Sequence, residues 1–357
     1  MTSIGDSVFC RCSSLTSIEI PSSVTSIGDG AFKYCSGLTS IEIPSSVTSI
    51  GDGAFSHCYG LTTVTFAENS QLTSIGEDAF YKCSGLTSIE IPSSVTSINN
   101  YAFYECSGLT SIEIPSSVTS IGNYAFNGCR GLTSIEIPSG VTRIGSRAFY
   151  YCSGLTTVTF AGNSQLTSIG GYAFNGCSSL TSIEIPSSVT SIGQAAFSGC
   201  SGLTTVTFAG NSQLTSIGDS VFSSCSGLTS ITIPSSVTSI GDWAFYGCSG
   251  LISIEIPSGV TSIGQWAFYG CSGLTHIRCE VSEKPDGWSG GWLGDCNPEI
   301  VEYGYVAPQD TNNQETSNTF TENNKFNPVI AWVGGGIAVT LSSIAVAGIV
   351  VAKKRRK

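Results

Sequence analysis

The sequence has few charged residues and almost no histidine. Asp, Glu, Lys and Arg make up 11% of the 357 residues, and the two histidines are His57 and His276. It contains no phosphate-binding loop, nucleophile elbow, paired-histidine metalloprotease motif or Cys-x-x-Cys pair. We therefore expect no cofactor, no metal ion and no enzymatic activity.

Basic residues are scarce outside the last five positions. All 25 acidic residues precede Asn327, whereas five of the 14 basic residues form the terminal run from Lys353 to Lys357. A surface this acidic repels phosphate backbones. We therefore expect no binding to nucleic acid.

The first residues lack the pattern of a secretory signal peptide. The segment from Met1 to Gly5 has neither a basic start nor an apolar core, and it resembles Val47 to Gly51 in the middle of a later unit. We expect the chain to begin inside an incomplete repeat, unless an atypical cap covers Ile4 and Phe9.

Repetition is what the sequence has in abundance. A 23-residue unit, seen as LTSIEIPSSVTSIGDGAFSHCYG at Leu38 to Gly60, recurs from Leu15 to Gly273. The units that begin at Leu61, Leu155 and Leu203 have 25 residues. Repeats of this length predict a stacked solenoid, because one coil cannot bury its own apolar face. We assign 1–273 to the solenoid and 274–305 to a degenerate terminal repeat.

Each unit predicts two short strands followed by a turn. In Leu38 to Pro44 apolar and polar residues alternate, as in a half-buried strand, and the proline ends it. A second strand is predicted at Val47 to Ile50. The Ala-Phe element, Ala54 to Cys58, is predicted to be one short helical turn that directs Phe55 inward.

The repeated pattern L-x-x-I-x-I-P-x-x-V-x-x-I-G-x-x-A-F-x-x-C resembles the BspA-like leucine-rich-repeat proteins over about residues 1–305. The segment from Cys279 to Tyr305, with Trp288 and Trp292, resembles the degenerate last unit of that family. The resemblance implies a right-handed solenoid on a microbial or protist cell surface. It also implies attachment to host matrix proteins, host cells or other microbes.

Twelve of the 15 cysteines share one repeat position, and we call them the cysteine ladder. The ladder comprises Cys12, Cys35, Cys58, Cys83, Cys106, Cys129, Cys152, Cys177, Cys200, Cys225, Cys248 and Cys271. Parallel Cβ vectors on stacked coils disfavour disulfides, so we expect buried free thiols. Cys279 and Cys296 are predicted to lie outside the ladder, either as one disulfide that staples the terminal repeat or as two free thiols.

Two other patterns have both a chemical and a structural interpretation. His57 beside Cys58 could pair a base with a nucleophile, but adjacent side chains point in different directions, so we expect no catalysis there. A glutamate column on the outward strand face could hold a cation or a basic ligand, or could simply keep that face solvated. The column comprises Glu19, Glu42, Glu90, Glu113, Glu136, Glu184 and Glu255.

The units differ most from one another around the Ala-Phe element, where Tyr and Trp are concentrated. We define the aromatic edge as Tyr81, Tyr101, Tyr104, Tyr124, Tyr150, Tyr151, Tyr172, Trp243, Tyr246, Trp266 and Tyr269. Such rings provide large contact area at low entropic cost. We predict that this edge binds a protein ligand, and the alternative is that the rings only cover the coil edges.

The C-terminal part predicts a membrane anchor. Residues 306–327 are polar and predict a flexible stalk, 328–352 carry no charge and predict a transmembrane helix, and 353–357 form a basic cytosolic tail. The positive-inside rule then places the solenoid outside the plasma membrane. Small residues such as Gly334 and Ala338 would permit weak self-association of this helix.

Together these patterns predict a non-enzymatic adhesion protein of the plasma membrane, with host matrix or cell-surface proteins as partners. The alternative is a tail-anchored protein whose solenoid faces the cytosol and serves as a scaffold for protein–protein interaction. Free thiols and the absence of an Asn-x-Ser/Thr sequon favour the alternative, whereas the basic terminal run disfavours it.

Overall fold

The computed structural model describes residues 2–306, in which every complete unit forms one coil of a parallel β-solenoid. Each coil from Leu38 to Gly273 contributes a longer strand to one sheet, which we call the long-strand sheet, and a two-residue strand to a second, the short-strand sheet. The long-strand sheet has four- and eight-stranded sections, and the short-strand sheet has nine- and three-stranded sections.

The strands recur at the same place in each coil. The long-strand sheet contains Ser40–Ile43, Thr63–Phe66, Ser88–Glu90, Ser111–Glu113, Ser134–Ile137, Thr157–Phe160, Ser182–Ile185, Thr205–Phe208, Ser230–Thr232, Ser253–Ile256, His276–Cys279 and Val301–Tyr303. The short-strand sheet contains Ser3–Ile4, Ser26–Ile27, Ser49–Ile50, Ser74–Ile75, Ser97–Ile98, Ser120–Ile121, Arg143–Ile144, Ser168–Ile169, Ser191–Ile192, Ser216–Ile217, Ser239–Ile240 and Ser262–Ile263.

Neighbouring strands are parallel and pair equivalent residues. Ser49 lies beside Ser26 and Ile50 beside Ile27, for example. In Ser40–Ile43 the two isoleucines are buried and the intervening Glu42 is exposed. The predicted alternation is therefore correct, although the second strand is shorter than the predicted segment from Val47 to Ile50.

The interior is one continuous hydrophobic cluster that extends from Ile4 to Trp292. Its centre is a column of buried phenylalanines stacked nearly parallel from coil to coil; the rings of Phe32 and Phe55 have centroids 5.2 Å apart and planes 2° apart. Fully burying one such side chain stabilises the fold by about 1.5–3 kcal/mol. Because each ring packs on the rings of both neighbouring coils, the core exists only when coils stack.

The prediction of a helical turn in each coil is wrong. Within residues 2–306 the helix is a single 3₁₀ turn, Pro298–Ile300. In the Ala-Phe element the residue before Ala and the second residue after Phe have positive φ, as at Gly53 (61°) and His57 (62°). The alternating backbone turns every second N–H toward the next coil: those of Gly53, Phe55 and His57 donate to carbonyls there at 2.7–2.8 Å.

This alternation has a physical reason that one coil alone does not reveal. A left-handed conformation costs an ordinary L-residue roughly 1–2 kcal/mol, and Tyr101 and Trp243 adopt it with φ of 53°. The inter-coil hydrogen bonds offset that cost, since they satisfy backbone groups that would otherwise be buried without partners.

Two tryptophans cover the last complete coil. Trp288 is buried and donates its indole Nε1–H to the Val260 carbonyl at 3.1 Å. Trp292 packs edge-on against Phe268, with centroids 5.7 Å apart. The phenylalanine column therefore ends against indole rings instead of water.

No helix within residues 2–306 is long and apolar enough to cross a bilayer. The predicted helix over 328–352 and the basic tail over 353–357 lie outside the described residues, as does the stalk beyond its first residue.

Candidate binding surface: the aromatic edge

The thiols of the cysteine ladder donate hydrogen bonds to the backbone carbonyls of the phenylalanine column. The Cys58 thiol donates to the Phe32 carbonyl of the preceding coil at 3.1 Å, and the same carbonyl accepts the Cys35 N–H at 3.0 Å. Burial raises the pKa of Cys58 from 9.0 to about 12. The ladder thiols from Cys35 to Cys271 are buried, and burial keeps those with raised pKa values protonated, whereas Cys12 is exposed.

Both cysteines of the terminal repeat are free thiols, so the structure has no disulfide between Cys279 and Cys296. The Cys296 thiol donates to the Phe268 carbonyl at 3.2 Å and thus continues the cysteine ladder, which corrects the prediction that it lies outside. Cys279 instead pairs with Ile256 in the long-strand sheet. The two occupy different columns, each with its own packing role.

His57 and Cys58 are not arranged as a base and a nucleophile. The imidazole stacks on Tyr34 with centroids 4.5 Å apart, and its Nδ1 lies 2.8 Å from the Ser56 hydroxyl. Burial, followed by the positive charge of Lys82, lowers the pKa of His57. The Cys58 thiol instead donates to the Phe32 carbonyl in the core.

The glutamate column is interrupted and partly neutralised. Glu42 pairs with Thr65 in the neighbouring coil. Near the terminal repeat, Arg278 bridges Glu255 at 3.6 Å and Glu302 at 3.7 Å. No cluster of three or more His, Cys, Asp or Glu suited to a metal ion occurs among the residues that the structure describes.

Every member of the aromatic edge is half-buried or exposed, and none is fully buried. The rings form two groups. The N-terminal stretch comprises Tyr81, Tyr101, Tyr104, Tyr124, Tyr150, Tyr151 and Tyr172. The C-terminal cluster comprises Trp243, Tyr246, Trp266 and Tyr269. Two coils that carry Ala195 and Ser198, then Ser220 and Ser223, at the corresponding positions separate them.

Rings in the N-terminal stretch stack across coils and pack with charged groups. Tyr81 lies on Tyr104, and Tyr101 on Tyr124, both with centroids 4.7 Å apart. The Arg147 guanidinium lies 4.8 Å from the Tyr172 centroid and donates to the Tyr124 hydroxyl. Such contacts hold the rings in place on the surface.

Charges accompany this stretch on its N-terminal side as well. Lys82 lies 5.5 Å from the Tyr81 centroid and forms an ion pair with Glu105 at 3.4 Å. Partial burial raises the pKa of Tyr81 and of Tyr104, so both hydroxyls stay protonated near neutral pH. The N-terminal stretch therefore presents neutral rings among charges of both signs.

The C-terminal cluster borders a groove and has no charge in its lining. The groove has a volume of about 540 Å³ and is lined by Ser220, Ser223, Trp243, Tyr246, Trp266 and Tyr269. Tyr246 and Tyr269 stack with centroids 5.3 Å apart and planes 8° apart, whereas the two indoles are tilted by 51°. Trp266 is 42% exposed, so its ring is open to a ligand.

Sequence reasoning treated all these rings as one surface and missed the groove. The signal was present, because small residues replace aromatic ones in two successive coils. Without the stacking register, however, nothing indicates that Ser220 and Ser223 adjoin the free side of Trp243 and Tyr246.

Comparison with known proteins identifies the family. The BspA type leucine rich repeat region matches residues 2–130, 96–213 and 203–284. A leucine-rich repeat protein from Bacteroides ovatus is 31% identical over 86% of this chain and 76% of its own, with a TM-score of 0.73. A leucine rich cell surface protein from Faecalibacterium prausnitzii is 35% identical over 73% of this chain and 84% of its own, with a TM-score of 0.42. No curated protein matches. The chain therefore belongs to the BspA-type leucine-rich-repeat family.

Proposed function

We propose that this protein is a non-enzymatic adhesion protein of the cell surface that binds host matrix or cell-surface proteins through the aromatic edge. The observation that carries the proposal is that solvent-facing Tyr rings are stacked from coil to coil over a core in which Phe and Cys recur. Rings held in this way lose little entropy on binding, and Tyr, Trp and Arg dominate protein contact surfaces.

Surface display rests on the sequence of the C-terminal part. An uncharged segment at 328–352, followed by five basic residues, favours a single-pass anchor with the solenoid outside the plasma membrane and the C-terminus in the cytosol. Many anchored copies would bind one target surface together, so modest affinity at each site suffices.

Adhesion of cells that display the full-length protein tests the edge. Replacing Tyr101, Tyr124 and Tyr172 together with Ser should reduce attachment to the target surface about tenfold or more, because several contact rings are lost. Ser220 already occupies this position with φ of 56°, so the backbone accepts serine there.

A matched control changes the long-strand sheet along the same stretch of the solenoid. Replacing Glu90, Glu113 and Glu136 with Gln alters three side chains of the glutamate column, and attachment should stay unchanged. Loss of adhesion in the control alone would move the binding site to the long-strand sheet. Undiminished adhesion of the tyrosine variant would remove the aromatic edge from the proposal.

A cytosolic scaffold is the second candidate, and the free state of all 15 cysteines favours it. The same anchor would then place the solenoid inside the cell, where it would hold together intracellular proteins. Labelling intact cells with a membrane-impermeant amine reagent separates the two. Surface display predicts labelled Lys33 and Lys82 without permeabilisation, and a scaffold predicts labelling only after it.

A further inference from the structure

The groove beside the C-terminal cluster arises where small side chains give way to large ones. Ser220 and Ser223 occupy the positions that carry Trp243 and Tyr246 in the next coil. Consecutive coils lie about 4.8 Å apart. The change from serine to aromatic side chains therefore leaves a space one coil wide beside the rings of Trp243 and Tyr246. The groove of about 540 Å³ occupies that space.

One face of Tyr246 has no protein ring on it. Its other face stacks on Tyr269, with centroids 5.3 Å apart. On the free face, the equivalent position of the preceding coil is Ser223, whose side chain is too short to stack on the ring. In the N-terminal stretch, by contrast, Tyr104 lies on Tyr81 of the preceding coil.

The chemistry of the groove is unusual for this chain. None of its six lining residues is charged, although the whole chain carries a net charge of −11. Ionic ligands would therefore find no partner in the lining. Serine and tyrosine hydroxyls can both donate and accept hydrogen bonds, while the ring faces present flat apolar surface.

We propose that this groove binds a neutral oligosaccharide, with one pyranose ring stacked on Tyr246 and Trp243. The C–H groups of a pyranose form an apolar face that packs on an aromatic ring, and its hydroxyls both donate and accept, as do those of Ser220 and Ser223. The inference goes beyond protein adhesion and concerns only the C-terminal cluster of the aromatic edge, whereas the adhesion variant changes the N-terminal stretch.

A proline-rich peptide is the competing ligand, because its rings also pack in aromatic grooves. Its proline residues supply carbonyl acceptors but no N–H donors. It would therefore leave the acceptor capacity of the groove hydroxyls unused. The mixed donors and acceptors of a sugar fit Ser220 and Ser223 better.

Titration calorimetry of the full-length protein with neutral β-1,4-glucan, β-1,3-glucan, mannan and chitin oligosaccharides tests the proposal. At least one should bind, and Trp243→Ser and Tyr246→Ser should each weaken it about tenfold, the expected loss of one stacked ring. A variant with both changes would have serine at the two positions where the preceding coil has Ser220 and Ser223, so it should stay folded. Because the ligand is neutral, added salt should change the affinity little.

The adhesion variant with Tyr101, Tyr124 and Tyr172 replaced by Ser is the matched control, and it should bind the oligosaccharide as the unchanged protein does. Failure of every oligosaccharide to bind overturns the proposal. Unchanged affinity in Trp243→Ser overturns the site, and binding of polyproline without any oligosaccharide assigns the groove to peptides. None of these outcomes bears on protein adhesion by the N-terminal stretch.

Discussion

The two sides of the Ala-Phe element follow opposite rules. On the inner side, Phe and Cys recur in coil after coil. Each ring stacks on the equivalent ring of a neighbouring coil, and each buried thiol donates to the phenylalanine carbonyl of the preceding coil. On the outer side, the residue before Ala ranges from Gly53 through Arg147 to Trp266, although the backbone conformation there is the same. The comparison shows that stacking constrains both the side chain and the backbone on the inner side. On the outer side it constrains only the backbone.

A rise in pH should have the largest effect on stability, and it should act on the inner side, where the thiols are buried. The thiol pKa is raised in the folded chain, from 9.0 to about 12 for Cys58, Cys152 and Cys200. Below pH 9 these thiols are protonated in both states, so their contribution to stability is complete. As pH rises toward 12, only the unfolded chain loses the protons, and stability falls.

Each such thiol lowers the free energy of unfolding by up to about 1.4 kcal/mol per pH unit in this window. Urea unfolding followed by circular dichroism from pH 7 upward measures the effect, and ultraviolet thiolate absorbance should appear together with unfolding. Thiolate absorbance in a still-folded chain would contradict an inward-facing ladder.

Truncation of one core ring should have the next largest effect. Phe149 is fully buried, between Phe126 and Phe174, with centroids 5.2 and 5.1 Å away. Phe149→Ala should lower the free energy of unfolding by about 3–5 kcal/mol, because it leaves a cavity that both neighbouring coils line. Tyr150→Ser, one residue along on the edge, should cost about 1 kcal/mol or less. Urea unfolding measures both variants. Equal losses of unfolding free energy in Phe149→Ala and Tyr150→Ser would contradict the distinction between interior and edge.

Removal of one ladder thiol should have a smaller effect. Cys152→Ala deletes a buried sulfur and its hydrogen bond to the Phe126 carbonyl, which lies 3.1 Å away. That carbonyl keeps the Cys129 N–H as a donor, so the expected loss is about 1–2 kcal/mol. Cys12→Ala is the matched control, because Cys12 has the same repeat position but is exposed. It should change the unfolding midpoint little, and a comparable loss there would argue against burial as the cause.

The sequence predicts the columns well, because equivalent residues recur at fixed spacing and alternation marks the buried members. It does not predict the backbone of the Ala-Phe element. Tyr101 and Trp243 are not residues that favour positive φ, and the hydrogen bonds that hold them there come from the next coil. Local preference therefore fails where a long-range contact determines the conformation.

The place of Cys296 could have been predicted, whereas the sequence gives only a partial signal for the groove, the small residues in two successive coils. Cys296 follows Cys271 by 25 residues, the interval that also separates Cys58 from Cys83, so the spacing already indicated the ladder. The groove depends on which side of Tyr246 adjoins Ser223. That relation follows from stacking, and no single unit contains it.

Thiol labelling within one coil tests the central claim, that each coil divides its residues between a fixed interior and a free edge. In full-length Tyr172→Cys, the introduced thiol lies on the aromatic edge, whereas Cys177 is buried and donates to the Phe149 carbonyl at 3.2 Å. Maleimide labelling read out by peptide mass spectrometry should modify position 172 rapidly and Cys177 only after unfolding in urea. Equal labelling of the two in the folded protein would contradict the account.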